Sequence, residues 1–432
     1  MNEGGLVRAI GRWSLAALTI NSIIGSGIFG LPSTVAGQLG RLSPWAVLLT
    51  GAAIGIIMAC FAEVASQFSQ AGGPYLYARV AFGRLAGIEM AWMLWLVRIT
   101  APAANANLFV IYLGEFWPRA KEPVPRFAIL TLLLGVLLVI NLRGVRWGTR
   151  TSNVFTVSKL IPLLTVGLAG AVYLLGHGFQ SPAATPHGSG GWLKAMLLLG
   201  FAYGGFEGAL TPMSEARDPR RDVAFALFTA VITCTLVYTL IQCTVIGILP
   251  DAAHSERPLA DVARIISGRG GAAFIAVGAL ISVYGYLSAN MLGTPRITFA
   301  MAERGDFPSI FAAVHSRFRT PYFSILVFAL LTWSLALFGN FAWNVTLSAV
   351  ARLLFYAGGC AALPVLRRKQ PDAARFRLPG GPFFAAIGII VCLVLMTQID
   401  LSGSVILFVT ILVAFGNWLA VRRRASPAST GP

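Results

Sequence analysis

Twelve apolar stretches, each long enough to cross a lipid bilayer, follow one another along this sequence. They lie at approximately 14–38, 42–68, 84–114, 126–142, 153–176, 192–213, 223–249, 272–301, 321–338, 343–366, 380–399 and 401–421. The hydrocarbon core of a bilayer is about 30 Å thick, so a helix needs roughly 20 apolar residues to cross it. Only 11% of the residues are charged, against roughly a quarter in an ordinary soluble domain. The sequence therefore predicts an all-α polytopic membrane protein with twelve transmembrane helices.

The basic residues are distributed unevenly between the loops. The chain has 33 Lys and Arg and a net charge of +17, which in a soluble protein would suggest binding to nucleic acid. Here 22 of the 33 fall in the two termini, in alternate loops or at the adjoining ends of the stretches, eight on the intervening side, and three in the interior of the apolar stretches. Cytoplasmic loops of membrane proteins carry such an excess. We therefore expect an integral protein of the plasma (inner) membrane with both termini in the cytoplasm, contacting membrane lipid and no nucleic acid.

The residues that commonly bind metals or perform catalysis show no functional spacing. The five cysteines are scattered through the predicted spans, and the four histidines fall in loops without an H-E-x-x-H or triad pattern. Neither a disulfide framework nor a zinc site is indicated. The sequence thus predicts no metal, no cofactor and no enzymatic activity.

Two of the predicted helices are interrupted by glycine clusters. Residues 25–30 (GSGIFG) fit the nucleotide-binding pattern G-x-G-x-x-G, but such a motif must follow a strand and open a helix. Here it lies in the middle of an apolar stretch, and residues 200–208 (GFAYGGFEG) interrupt the sixth stretch in the same way. Irregular backbone at this depth is tolerated where it lines a cavity, which in secondary transporters holds the substrate. The alternative is a close-packing surface of the Gly51-x-x-x-Gly55 kind.

The first and sixth stretches correspond to one another if two groups of five helices form structural repeats. An odd number of helices in each repeat makes the two repeats inverted in the membrane. We therefore expect a first repeat at 1–176 and a second at 192–366. Two further helices and a cytoplasmic tail would occupy 367–432.

A helix that stops in mid-membrane presents unpaired N–H groups and carbonyls, which carry partial charges of opposite sign. An amino acid matches this pattern. Its carboxylate can accept hydrogen bonds from N–H groups around Ser26 and Gly27, as anions do at helix N-termini. Its ammonium can donate to carbonyls near Ile23, Phe201 and Gly204. The two breaks together therefore predict a site for an amino acid.

Four segments carry a family resemblance. They are IIGSGIF in the first stretch, SQAGGPYLYARVAFG after the second, FAYGGFEGALTPMSEARDP through the sixth, and PRITFAMAERGDFPSIFAAVHSRFRTP after the eighth. In order and spacing the chain resembles the amino acid-polyamine-organocation (APC) transporter superfamily. The resemblance implies a LeuT-like fold of five-plus-five inverted repeats followed by two helices, with alternating access around a central site. It also implies that Phe201 is an aromatic gate over the substrate and that Glu207 is a buried acid tied to gating.

Lys159 is a charged residue about seven positions into the fifth stretch. A charge at the bilayer centre costs at least about 2.5 kcal/mol, so its position requires an explanation. One is that the side chain extends to the inner surface. The other is that its ammonium replaces the sodium ion of sodium-coupled relatives by bonding carbonyls near Gly25. The surrounding NVFTVSKLIPL resembles proton-coupled and exchanger branches of the superfamily, in which the proton of this lysine would be the coupling ion.

Three more charges lie within the apolar stretches. Glu207 is predicted to serve in gating or coupling, with capping of freed N–H groups as the structural alternative. Arg98 could pair with Glu207, with a substrate carboxylate, or in a purely structural ion pair. Arg352 lies in the last helix of the second repeat, as Lys159 does in the first, which suggests a symmetric bracing role. The polar residues Tyr203, Asn290 and Asn105 are candidates for side-chain selectivity, and the alternative for each is a hydrogen-bonded contact within the helix bundle.

These observations favour a sodium-independent amino acid transporter that works by proton-coupled symport or by exchange. The alternatives are a polyamine or organic-cation exchanger, for which Glu207 would supply the acidic group, and a non-transporting membrane sensor or subunit. The partners expected are a small amino acid substrate, protons as a candidate coupling ion, and membrane lipid. The predicted substrate-binding residues are Ile23, Gly25, Ser26, Gly27, Phe201, Tyr203, Gly204 and Asn290, and the predicted coupling or gating residues are Lys159, Glu207 and Arg98.

Overall fold

A computed structural model of the chain describes residues 11–68, 73–144, 148–179, 189–210 and 218–422. All regular structure in these ranges is helical. The helices are α1 (Arg12–Ile23), α2 (Gly27–Leu39), α3 (Ser43–Ser66), α4 (Gly73–Phe82), α5 (Arg84–Leu113), α6 (Pro123–Leu142), α7 (Gly148–His177), α8 (Ser189–Ala202), α9 (Phe206–Ala209), α10 (Pro219–Ile248), α11 (Pro258–Glu303), α12 (Tyr322–Phe338), α13 (Phe341–Lys369), α14 (Gly381–Met396) and α15 (Leu401–Val421). The predicted cytoplasmic ends and parts of two quoted motifs, at 1–10, 69–72, 211–217 and 423–432, lie outside the described residues.

Each of the twelve apolar stretches contains at least one of these helices. In the described part of the chain, eight segments are long and apolar enough to cross a membrane, and α12 and α14 are shorter apolar helices. The prediction of an all-helical polytopic membrane protein is confirmed. The first and sixth stretches differ from the rest, because each is divided into two helices. At 1.5 Å per residue, the 12 residues of α1 and the 14 of α8 are too short to cross alone.

The helices differ in how much of their surface the protein itself covers. Of the most apolar part of each helix, 72% is buried in α5 but only 22% in α6 and in α15. Many of the exposed side chains in the protein are apolar, including Leu175, Phe338 and Leu401 at more than four fifths exposure. In a bilayer, apolar side chains can face lipid without cost, so helices that are hydrophobic all round are expected. The α5 helix is therefore central, and α6 and α15 are peripheral.

The two broken helices lie among the buried helices. The α1 helix packs on α10, α2 packs on α8, and α13 packs on α5 and α8. At one end of the bundle, the fully buried carboxylate of Asp306 accepts hydrogen bonds from Arg79, Tyr75 and Arg84, the last at 2.8 Å from Nε. Burial raises the pKa of Tyr75 to about 12, so its hydroxyl stays protonated and donates to the carboxylate. This cluster fixes α4 and α5 to the loop that follows α11.

Candidate functional site at the two broken helices

The two interruptions cross each other inside the protein. A Cβ atom at Gly27 would lie 2.8 Å from the Cα of Ala202, so the start of α2 passes directly against the end of α8. Gly205 has φ +114° and lies against the carbonyl of Ser22, where a side chain would collide with the backbone. Glycine is needed at both positions, for close approach and for a left-handed conformation. The glycines thus pack two broken helices together, in addition to permitting the breaks.

The freed carbonyls of the first break are bound by a cation. The Nζ atom of Lys159 donates to the carbonyls of Asn21 at 2.5 Å and Ile24 at 2.7 Å. The lysine is only 7% exposed, so its ammonium lies on these carbonyls and does not extend to a surface. On the other side of the break, α2 begins at Gly27. The N–H groups of Phe29 and Gly30 donate to the carbonyl of Ser26, whereas those of Gly27 and Ile28 have no partner within the helix.

The second break carries both a cation and an anion. Arg352 donates from Nη1 to the carbonyl of Phe201 at 3.3 Å, and its Nη2 lies 3.3 Å from Oε1 of Glu207. The other carboxylate oxygen of Glu207 accepts from the N–H of Gly205 at 3.0 Å and from the hydroxyl of Tyr356 at 3.3 Å. Glu207 therefore caps the start of α9 and also pairs with Arg352. Both residues are more than nine-tenths buried.

One tyrosine contacts both breaks. The hydroxyl of Tyr238, on α10, lies 3.0 Å from the carbonyl of Ala202 and 3.3 Å from the carbonyl of Ile23. The side chain is buried. Its single hydroxyl proton is shared between two carbonyls that the interrupted helices leave free. Tyr238 therefore couples the end of α1 to the end of α8.

A small cavity lies between the breaks. Its volume is about 20 Å³, enough for one water molecule. An amino acid is several times larger, so the described conformation is closed around this point. The cavity is lined by Ser22, Ile23, Gly25, Ser26, Gly27, Ala101, Asn105, Phe201, Ala202, Gly204, Tyr286 and Arg352.

Three side chains that line the cavity carry a buried polar atom without a hydrogen-bond partner in the described part of the chain. These atoms are Oγ of Ser26, Oδ1 of Asn105 and Nε of Arg352. Each residue is at least 96% buried. Buried polar groups nearly always have partners, and each unpaired one costs about 1–3 kcal/mol. Three such atoms around one cavity favour a site that binds a polar molecule.

The structure places the predicted substrate-binding residues in two groups. Six of them line the cavity, namely Ile23, Gly25, Ser26, Gly27, Phe201 and Gly204. Tyr203 instead points to α3, where its hydroxyl donates to the carbonyl of Val47 at 3.0 Å. Asn290 donates to the carbonyl of Tyr286 at 3.0 Å within its own helix. In this conformation, neither Tyr203 nor Asn290 lines the cavity.

Arg98 lies near the second break without pairing to its acid. Its Nη1 is 3.5 Å from Oδ1 of Asn290, and its Nη2 is 3.0 Å from the position that a Cβ of Gly208 would take. Within the described residues, the ion pair of Glu207 is formed by Arg352 and not by Arg98. Of the pairings considered for Arg98, the one with Glu207 is therefore absent from this conformation.

Sequence reasoning missed Tyr238, Tyr286 and Tyr356. A hydroxyl inside an apolar stretch needs a hydrogen-bond partner, and this requirement could have marked the three tyrosines as candidates. The stretches that contain these tyrosines could be recognised, but the face of the helix that meets the breaks could not.

Comparison with known proteins identifies the family. The sequence model of the family described as amino acid permease matches residues 10–420. The chain belongs to the amino acid permease family. A methylthioribose transporter of Bacillus subtilis is 28% identical over 429 residues, covering 95% of this chain and 92% of the relative. A branched-chain amino acid permease of the same organism is 26% identical, covering 98% and 95%. A putative arginine/ornithine antiporter of Bacillus subtilis is 28% identical, covering 71% and 72%.

Membership of the amino acid permease family confirms the resemblance to the APC superfamily. The protein is therefore a membrane transporter of amino acids or related solutes and not an enzyme. The relatives named above have different solutes in their names, so similarity to them does not select one solute for this permease.

Proposed function

We propose that this permease is a sodium-independent amino acid transporter that works by alternating access around the two breaks, through proton-coupled symport or exchange. The observation that carries the proposal is the ammonium of Lys159 on the carbonyls of Asn21 and Ile24. Freed carbonyls at a helix break are the groups that coordinate a coupling cation in transporters of this kind. Here a cation belonging to the protein already binds them. A dissolved sodium ion is then not required at the first break.

The proposed architecture is a LeuT-like arrangement of twelve crossings. Helices α1 to α7 (residues 1–176) would form the first repeat, α8 to α13 (192–366) the inverted second, and α14 and α15 would follow in 367–432. Support comes from the basic residue on the last long helix of each proposed repeat. Lys159 on α7 binds carbonyls of the first break, and Arg352 on α13 binds a carbonyl of the second. The basic loops favour cytoplasmic termini in the plasma (inner) membrane.

The proposed substrate position lies between the breaks, where the carboxylate would accept from the N–H groups at the start of α2, around Ser26 and Gly27. Phe201 would cover the substrate, and the other predicted binding residues that line the cavity, Ile23, Gly25 and Gly204, would contact it through backbone. Opening must enlarge the 20 Å³ cavity. Tyr203 and Asn290 remain candidates for side-chain contacts in that open state. Glu207 and Arg98 remain candidates for gating.

The charges beside the cavity favour an amino acid over a polyamine. Arg352 lines the cavity and Arg98 lies close by, and like charges repel more strongly away from water. An organic cation would have to approach both guanidinium groups. The acid considered for cation binding, Glu207, already pairs with Arg352.

The proposal is tested with purified protein in proteoliposomes. A panel of labelled amino acids and putrescine is offered in sodium-free buffer, either with an inward proton gradient or with unlabelled amino acid inside. We expect accumulation of at least one amino acid under one of these conditions. Binding in a thermal-shift assay without any flux would instead favour a non-transporting sensor, and absence of both would contradict the proposal.

A further inference from the structure

We propose that the solute carries a second acidic group, so that the substrate class is the acidic amino acids. This inference rests on the proposed transport function and narrows its substrate. It is based on the charges around the cavity, on the hydrogen-bond partners of Arg352, and on the unpartnered atoms that line the site.

The charges around the cavity do not balance. Among the described residues at the two breaks, Arg352, Arg98 and Lys159 carry three positive charges, and Glu207 supplies one negative charge, which is bound to Arg352. No carboxylate in the described ranges lies within ion-pair distance of Arg98, whose Nη1 is 3.5 Å from the neutral amide of Asn290. An amino acid with a neutral side chain has no net charge and would leave the surplus. A second carboxylate on the solute would offset part of it.

Arg352 also occupies a place that a substrate ammonium would use. Its Nη1 donates to the carbonyl of Phe201, and its guanidinium carbon lies 5.9 Å from the centre of the Phe201 ring. The hydroxyl of Tyr238 occupies the neighbouring carbonyls of Ala202 and Ile23. The carbonyls of Phe201, Ala202 and Ile23 are therefore already used, and the α-ammonium of the solute would bind the carbonyls that remain near Gly204. A cationic side chain on the solute would meet the positively charged guanidinium of Arg352 at these carbonyl acceptors.

Arg352 retains an unused donor at the cavity. Its Nε is buried without a partner in the described chain, although Nη1 and Nη2 are both engaged. A guanidinium presents its donors as a rigid fork that matches a carboxylate. A different lining element, the start of α2, offers N–H groups and the Oγ of Ser26. The lining thus includes two separate sets of donors, one for each carboxylate of an acidic amino acid.

Glutamate and glutamine provide the sharpest test, because they differ mainly in the charge of one group. Uptake of labelled glutamate into proteoliposomes is measured against unlabelled aspartate, glutamine, leucine and putrescine. We expect glutamate to be transported and aspartate to compete for it. Glutamine should compete at least about tenfold more weakly, corresponding to about 1.4 kcal/mol, and putrescine should not compete.

Two arginine variants link the preference to the site. Arg352→Gln and Arg98→Gln should each reduce the preference for glutamate over glutamine by about tenfold or more. The preference is measured on each variant that a thermal-unfolding assay shows to be folded. Arg269→Gln is the matched control, because Arg269 is exposed. It should leave the preference unchanged.

Transport of glutamine or leucine without competition by glutamate or aspartate would overturn the inference and leave the proposed function intact. An unchanged glutamate preference in a folded Arg352→Gln variant and a folded Arg98→Gln variant would also overturn it. Failure to transport any amino acid would contradict the proposed function as well as the inference.

Discussion

A basic side chain binds each of the two helix breaks, but among the described residues only the second break includes an acid. At the first break, Lys159 donates to two backbone carbonyls. At the second, Arg352 donates to one backbone carbonyl and pairs with Glu207. An ammonium is a compact charge that can release its proton, whereas a guanidinium stays charged and binds two groups at once. We infer that the first break is suited to ion coupling and the second to recognition of substrate charge.

The comparison predicts that, among single substitutions at Glu207, Lys159 and Tyr238, removal of Glu207 causes the largest loss of stability. Glu207→Ala leaves the Arg352 guanidinium buried without a counter-charge, and breaking a buried pair in this way costs about 3–5 kcal/mol. Thermal unfolding in detergent should therefore show a large loss of stability. The double variant Glu207→Ala/Arg352→Met should recover most of it. A Glu207→Ala protein as stable as the wild type would contradict the assigned ion pair.

Removing the cation of the first break should cost less. Lys159→Met leaves the carbonyls of Asn21 and Ile24 unpaired but leaves no buried charge, so we expect a loss of about 1–3 kcal/mol. The exposed Lys194 provides the control, as Lys194→Met should unfold like the wild type. If Lys159→Met were as damaging as Glu207→Ala, the proposed difference between the two breaks would be wrong.

The smallest effect is expected at the tyrosine that joins the breaks. Tyr238→Phe removes one hydroxyl that is shared by the carbonyls of Ala202 and Ile23, and a hydrogen bond of this kind contributes about 0.5–1.5 kcal/mol. Tyr322→Phe, at an exposed tyrosine, is the control and should be neutral. A Tyr238→Phe variant with wild-type unfolding would show that the hydroxyl does not stabilise the crossing.

The sequence was sufficient to predict the helical segments and the two breaks. Apolar length determines where a chain can cross a bilayer, and a glycine cluster within such a length marks an interruption. The depth of Lys159 along its helix follows from the same counting. Segment length, the position of a break and the depth of a residue are all positions along one helix. They can therefore be read from the local sequence.

The partners across helices could not be predicted in the same way. Glu207 was recognised as a buried acid, but its pairing with Arg352 depends on how α13 is rotated towards the second break. Tyr203 follows the last residue of α8, where the backbone is no longer helical, so helical spacing does not fix its direction towards α3. Helix rotation and local unwinding depend on packing between segments that are distant in sequence. Local sequence patterns therefore do not predict them.

The most direct test of the central claim is uptake by the wild type and by Lys159→Met, each measured with and without sodium at equal ionic strength. If Lys159 provides the cation of the first break, wild-type uptake is the same in both media. The Lys159→Met protein, once a thermal-unfolding assay has shown that it is folded, should have an initial uptake rate at least about tenfold lower than that of the wild type. The Lys194→Met protein should take up substrate at the wild-type rate. A wild-type protein that requires sodium, or a Lys159→Met protein with wild-type uptake, would contradict the account.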